Sequence, residues 1–192
     1  MSSSLQASFN AINPLTAAAW ADLEALFQPV ELERNEYLLR EGERVSNCYL
    51  LLEGVIRVYY SKDGNEYNKT FFVPGMFPTA ITALLSDEPS ALSFQALVPS
   101  RLVAFSYPKF RKLCEEHRCL EKLLLRIMED LWIKKEQHDI HMVMNDATTN
   151  YRLFQERYPG LENQVAQYHI ASYLGVTPIQ LSRIRARLAK MS

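Results

Sequence analysis

The rhythm of apolar and polar positions changes several times along this chain. From Pro14 to Phe27, Leu15, Leu23, Leu26 and Phe27 fall roughly on one side of a helix, and the alanines between them favour helix. Thr16 is placed to cap that helix and Pro29 to end it. From Val30 to Phe105 the texture shifts to short apolar runs: Glu36–Leu39, Cys48–Leu52, Val55–Tyr60, Tyr67–Val73, Leu92–Val98 and Leu102–Phe105. Glu41-Gly42, Glu53-Gly54, Asp63-Gly64 and Pro74-Gly75 break them. Short strands separated by turn residues at about ten-residue spacing predict a sandwich, barrel or jelly roll. Asp63-Gly64 predicts a tight hairpin, because glycine accepts positive φ without steric cost. Residues 76–85 predict a short helix inside this region.

Tyr107 to about Asn145 is helical again, with no Gly or Pro after Pro108. Leu120, Leu124, Ile127, Met128 and Leu131 give the helical spacing, and Lys134 to His138 interrupt the seam. A helix this long exceeds what a small β-domain can cover. That favours a dimer contact, through Leu124, Met128 and Leu131, over packing on its own domain alone. The last segment predicts shorter helices: Tyr151–Tyr158, stopped by Pro159-Gly160; Val165–Leu174, closed by Gly175; and Pro178 to about Lys190, capped by Thr177.

The segment Tyr168–Leu188 has helix-turn-helix spacing. Ile170, Ala171 and Leu174 face inward on the first helix, and the small Ala171 permits a close crossing. Gly175 makes the turn and Val176 tucks beneath it. Leu181, Ile184 and Leu188 form the buried stripe of the second helix, leaving Gln180, Arg183 and Arg187 on the outer face, which a major groove would receive. The bland alternative is an ordinary helical hairpin with a solvated basic face. Turn glycine, cap, buried stripe and basic outer face together favour the DNA reading.

Charge supports it. The chain carries a net charge of -1, but residues from Asn150 onward carry six basic side chains against Glu156 and Glu162. From Thr177 there are four basic residues and no acid, a local field that selects a phosphate backbone. Composition is that of a globular protein, with 48% hydrophobic and 22% charged residues. No apolar run is long enough to span a bilayer, and Met1–Leu5 shows no secretory signal, so no membrane association is expected. The odd set Cys48, Cys114 and Cys119 forms no disulfide framework, which fits a reducing cytoplasm.

Five further segments, in order, are Arg40–Glu43, Tyr49–Gly54, Asp63-Gly64, Pro74–Phe77 and Ser106–Phe110. In this order ahead of the helix-turn-helix, they resemble the cyclic-nucleotide-binding roll of the Crp/Fnr family of bacterial regulators, over about residues 15–190. The resemblance implies an α+β fold: a double-stranded β-helix (jelly roll) sensor over residues 1–116, of eight strands, a dimerisation helix over 117–145, and a small helix-turn-helix domain over 146–192. Only Ala189 to Ser192 follow Leu188, so that domain is expected to lack a full wing. It implies a cytoplasmic homodimer on palindromic double-stranded DNA. The contacting residues would be Thr177, Pro178, Ile179, Gln180, Ser182, Arg183, Arg185 and Arg187.

The family's ligand cassette is degenerate here. Its cyclic-AMP binders hold the ribose with a Gly-Glu pair and the phosphate with an Arg. In register, those positions are Thr79-Ala80 and Ser90, within a pocket of Phe77, Thr79, Ala80, Ser90 and Ala91. A buried phosphate without its counter-charge is strongly disfavoured, so the expected effector is an unidentified small molecule or none, and not cyclic AMP. On the central helix, Lys135 and Glu136 replace the family's hydroxyl residues. The iron–sulfur members' N-terminal cysteines are absent before Cys48, and Cys114 and Cys119 read as core thiols. His138 and His141 are i, i+3 but lack a third ligand, and residues 1–116 hold no His, so neither a metal nor another cofactor is expected. No catalytic arrangement is present, so no enzyme is expected. The competing reading is a ligand-binding module whose helix-turn-helix serves as a protein-contact surface.

Overall fold

A computed structural model describes residues 2–190, so Met1 of the leader reading and Met191-Ser192 of the tail lie outside it. The order is α1 (Ser2–Ile12), α2 (Ala17–Glu24), β1 (Gln28–Leu32), β2 (Tyr37–Leu39), β3 (Asn47–Glu53), β4 (Ile56–Lys62), β5 (Asn65–Phe72), α3 (Ile81–Ser86), β6 (Ser93–Ala96) and β7 (Ser100–Ser106). Then come α4 (Tyr107–Glu116), α5 (Arg118–Met144), α6 (Ala147–Arg157), a 3₁₀ turn (Leu161–Asn163), α7 (Gln167–Tyr173) and α8 (Pro178–Ala189).

Two antiparallel sheets face each other, ordered β1-β7-β3 and β2-β6-β4-β5. Between them Leu39, Leu51, Ile56, Val58, Ala80, Ala83, Phe94, Ala96 and Leu102 fill the roll. Asp63 and Gly64 both have positive φ, 53° and 77°, the twist-matched geometry of a two-residue hairpin joining β4 to β5. Seven strands are present among the described residues rather than the eight implied by resemblance.

Several expectations need correcting. The first helix is shorter than Pro14–Phe27; Thr16 Oγ1 does accept from the Ala19 amide, at 3.2 Å. Pro29 does not end a helix. It sits in β1, an edge strand of its sheet, the part of a sheet in which a residue without an N–H is tolerated. The unforeseen α1 inserts Phe9 among Trp20, Phe27 and Phe77, each ring centroid 5.8 Å away. The helix expected from Tyr107 onward is two helices. His117 takes an extended backbone between α4 and α5, and its Nε2 lies 2.8 Å from Asp22 on α2.

The first half of α5 covers the outer face of the three-stranded sheet, with Leu120 and Leu123 buried and Leu124 and Ile127 packed beside them. Leu124 packs in part on its own domain, and Leu124, Met128 and Leu131 of the expected pairing stripe are all half-buried. The apolar face left over is rotated away from the core: Leu125, Trp132 (65% exposed), Ile133, Ile140 and Val143 (82% exposed).

The helix-turn-helix unit does not close its own core. Phe71 of β5, fully buried, packs edge-on against Phe154 and Tyr158 and tilted against Tyr173, and Val55 and Leu97 join the same cluster. Polar groups ring this contact. Arg57, 5% exposed, donates from Nε and Nη2 to Gln95 Oε1 at 2.8 and 2.6 Å, and from Nη1 to Glu66 Oε2 at 2.6 Å. Its Nη1 also lies 3.2 Å from His169 Nδ1 on α7. Asn68 Nδ2 donates to the His169 carbonyl at 3.0 Å, and the Asn68 amide donates to Ser172 Oγ at 2.9 Å. Ser172 Oγ in turn donates to the Glu66 carbonyl at 3.1 Å.

Burial first, then the Arg57 charge, lowers the His169 pKa from its ordinary 6.5 to about 4, with Glu66 opposing weakly. Because the folded value is the depressed one, the unfolded chain binds the proton first. The stability is fully present above about pH 6.5 and drains away as pH falls toward 4. Thermal melts of the native protein and of His169→Gln between pH 7 and pH 4 should diverge, the native protein losing more over that range.

Candidate nucleic-acid interface

The C-terminal unit is built by local chemistry. Asp146 caps α6, its carboxylate accepting from the Thr149 amide at 2.7 Å, which holds its pKa below the usual carboxylate range. Gly175, at φ 66°, follows α7 in the left-handed conformation that ends it. Thr177 then starts α8 with a reciprocal capping box. Its hydroxyl accepts from the Gln180 amide at 3.2 Å, and Gln180 Oε1 accepts from the Thr177 amide at 2.8 Å. Pro178 follows at the first helical turn, where its missing N–H is harmless.

Ile170, Ala171, Leu174, Leu181 and Ile184 are buried in one cluster, with Val176 and Leu188 packed against it, so α7 and α8 share one core. Opposite that stripe α8 presents Ile179 (65% exposed), Arg183 and Ala186, flanked by Ser182. Gln180, Arg183 and Arg187 line one side of a cleft of about 300 Å3, whose other wall is Asp146, Ala147 and Thr148. The i, i+3, i+7 spacing thus brings these three side chains together. Asp146 adds an acid that counting along α8 alone did not reveal.

Three expected contacts have internal engagements, since both donors of Thr177, its amide and its hydroxyl, point at Gln180 Oε1. Gln180 uses its side-chain oxygen and its own backbone N–H within the capping box, leaving its Nε2 for an external partner. Arg185 is half-buried on the side of α8 that faces Tyr151, whose hydroxyl also bonds Glu162.

The cassette residues are likewise in use. Thr79 Oγ1 accepts from the Tyr49 amide at 3.0 Å, tying the segment before α3 to β3. Ala80 is buried in the roll, and Phe77 stacks edge-on against Phe9. Ser90 is buried; its hydroxyl donates to the Leu92 carbonyl at 2.8 Å, and its backbone bonds Gly42 and Glu43. Ala91 is exposed. Arg57, on the adjoining strand position, points to the opposite face, toward α7. Arg44, which sequence proximity did not single out, reaches the cassette's edge but there binds the carbonyl and carboxylate of Asp87.

His138 and His141 both line a second cleft, of about 320 Å3, between α5 and the C-terminal unit. His138 stacks on Tyr173 and lies 3.3 Å from its hydroxyl. Among the described residues no group of three metal-ligating side chains converges, and no helix is long and apolar enough to cross a membrane.

The cyclic nucleotide-binding domain family matches residues 29–117. The fold is similar to that of FixK2 from Bradyrhizobium japonicum, with TM-score 0.74 and 18% identity over 86% of this chain and 85% of that one. It is also similar to a CooA mutant from Carboxydothermus hydrogenoformans, with TM-score 0.70 and 17% identity over 87% and 78% of the two chains. The c-di-GMP responsive global regulator CLP of Xanthomonas campestris aligns with TM-score 0.70 and 14% identity over 91% and 92%. No curated protein matches the sequence.

Thr177→Ala removes the capping hydroxyl and should cost about 1 kcal/mol of stability, measured by urea denaturation.

Proposed function

We propose that this chain, whose residues 29–117 match the cyclic nucleotide-binding domain family and whose fold is similar to that of FixK2, is a regulator of the Crp/Fnr type that binds palindromic double-stranded DNA as a two-fold homodimer. The observation that carries this reading is α8 itself. It is a capped helix, packed on α7 by one face, with Arg183 outward and Gln180 and Arg187 beside it.

The exposed face of α5 supplies the pairing surface. Leu125 and Trp132 are seven residues apart, as are Ile133 and Ile140, which is the repeat that lets two helices run side by side. A monomer would leave this apolar stripe in water. Two-fold pairing sets two copies of α8 about 34 Å apart, one in each of two successive major grooves. Arg183, at the centre of the outer face, forks onto a guanine edge. Gln180 Nε2 and Ser182 flank it, Arg187 meets a phosphate, Thr177 holds the start of the helix through its capping box, and Ile179 makes apolar contact with a thymine methyl. Pro178 and Arg185 serve as supports, one starting the helix and the other reaching a backbone phosphate from its edge.

The effector of this chain is an unidentified small molecule or none, and not cyclic AMP. The ribose acceptor and the phosphate counter-charge are replaced by Thr79, Ala80 and Ser90, all committed to internal contacts. CLP, of the same fold, answers to c-di-GMP, so departure from cyclic AMP is compatible with regulation. The second reading, a ligand-binding module whose helix-turn-helix serves as a protein-contact surface, draws on the exposed Tyr168 of α7 and Ile179 of α8.

Fluorescence anisotropy on a selected site separates the two readings. Arg183→Ala should lose about 1–3 kcal/mol and relax preference at one base position. Arg187→Ala should weaken all sequences alike and lower the salt slope by about one unit. Full affinity of a folded, dimeric Arg183→Ala protein would favour the protein-contact reading. Calorimetry should show cyclic AMP binding only at about millimolar concentration or not at all; micromolar affinity would contradict the cassette argument.

A further inference from the structure

The side chains that fix the DNA-binding unit to the roll belong to none of the DNA-reading residues, yet they bear on where α8 points. On the roll, Arg57 is held by three strands: its own β4, Gln95 of β6 through two bonds, and Glu66 of β5. Its ring partner Tyr59 lies 4.0 Å beneath the guanidinium. Of its bonding directions, the one that leaves the roll ends at His169 on α7, 3.2 Å away. Asn68 Nδ2 approaches the same ring nitrogen at 3.3 Å. Both neighbours are donors, so Nδ1 must carry the lone pair and the ring proton sits on Nε2.

His169 and Ser172 lie three apart on α7, on the face toward β5. The opposite side of α7 packs on α8 through Ile170, Ala171 and Leu174. A close-packed pair of this kind transmits a tilt instead of absorbing it. We propose that Arg57, Asn68 and His169 are positioning residues that set the bearing of α8 relative to the roll, and thereby the separation of half-sites that the protein accepts. The proposal rests on the dimeric DNA reading above. A hydrogen bond from a charged donor suits this use better than apolar contact, because it loses strength steeply as its angle departs from linear.

The test compares the native protein with His169→Leu, which has no acceptor, and His169→Gln, whose amide oxygen still accepts from Arg57. Ser172→Ala is a milder change that cuts the Asn68–Ser172–Glu66 bridge and suits a helix. Each is bound to a set of duplexes carrying the same inverted half-sites with the spacer varied base pair by base pair. The native protein should prefer one spacer over its neighbours by about tenfold, and His169→Leu should keep binding while that preference falls by several fold. His169→Gln should retain the preference, and Ser172→Ala should lose part of it. A role in stability alone predicts weaker binding at every spacer with the preference unchanged, which would overturn the proposal, as would His169→Gln behaving like His169→Leu.

Hydrogen exchange of residues 167–173 is read on the same proteins without DNA. His169→Leu should raise it about tenfold and His169→Gln should not. If none of the proteins binds DNA, the DNA reading fails on its own, and unchanged exchange in His169→Leu would separately remove the positioning role.

Discussion

The contact on which this architecture depends is Phe71 against Phe154, Tyr158 and Tyr173. A helical unit as short as the one after α5 buries too little surface to be secure by itself. Here it completes its core with side chains supplied by β5 and its neighbours. The result is that roll and helix-turn-helix share one hydrophobic cluster. Any large swing of the helix-turn-helix unit would expose Phe71 and leave Arg57 and Asn68 without their partners on α7, a combination of apolar and polar losses. The position of α8 is therefore a property of the roll as much as of its own unit.

The same arrangement bears on how an effector would work. In the roll, the cassette segment is tied down from three directions: Thr79 to β3, Phe77 to Phe9 of α1, and Ser90 to the Gly42-Glu43 backbone. Apolar side chains fill the space between the sheets. An effector acting on α8 must reach it through β4 and β5, the strands that carry Arg57 and Phe71, or through α5, whose His138 stacks on Tyr173. Both routes end on α7.

Much of this was legible in the sequence. Alternating apolar runs set off by Asp63-Gly64 and Pro74-Gly75 are local signals, and the strands they mark formed within a residue or two of expectation. The cap at Thr177, the turn at Gly175 and the buried stripe of α8 are equally local. What escaped was long-range. Pro29 reads as a helix stop unless one knows that its strand lies at a sheet edge. His117 breaks a helix with neither Gly nor Pro because its side chain is held by Asp22, far away in sequence. The packing of α5 on the sheet half-buries Leu124 and leaves Trp132 largely outside, a division that periodicity along α5 alone does not mark. The Arg57–His169 contact joins residues 112 apart, and nothing in the neighbourhood of either marks it.

The claim at the centre is that two copies of this chain, paired through α5, present two copies of α8 to successive turns of one duplex. Selection of a random duplex pool on the purified protein, followed by sequencing, tests it most directly. The account predicts enrichment of two inverted half-sites with centres about 10 base pairs apart. Enrichment of a single half-site without a mate, or no enrichment at all, would contradict it.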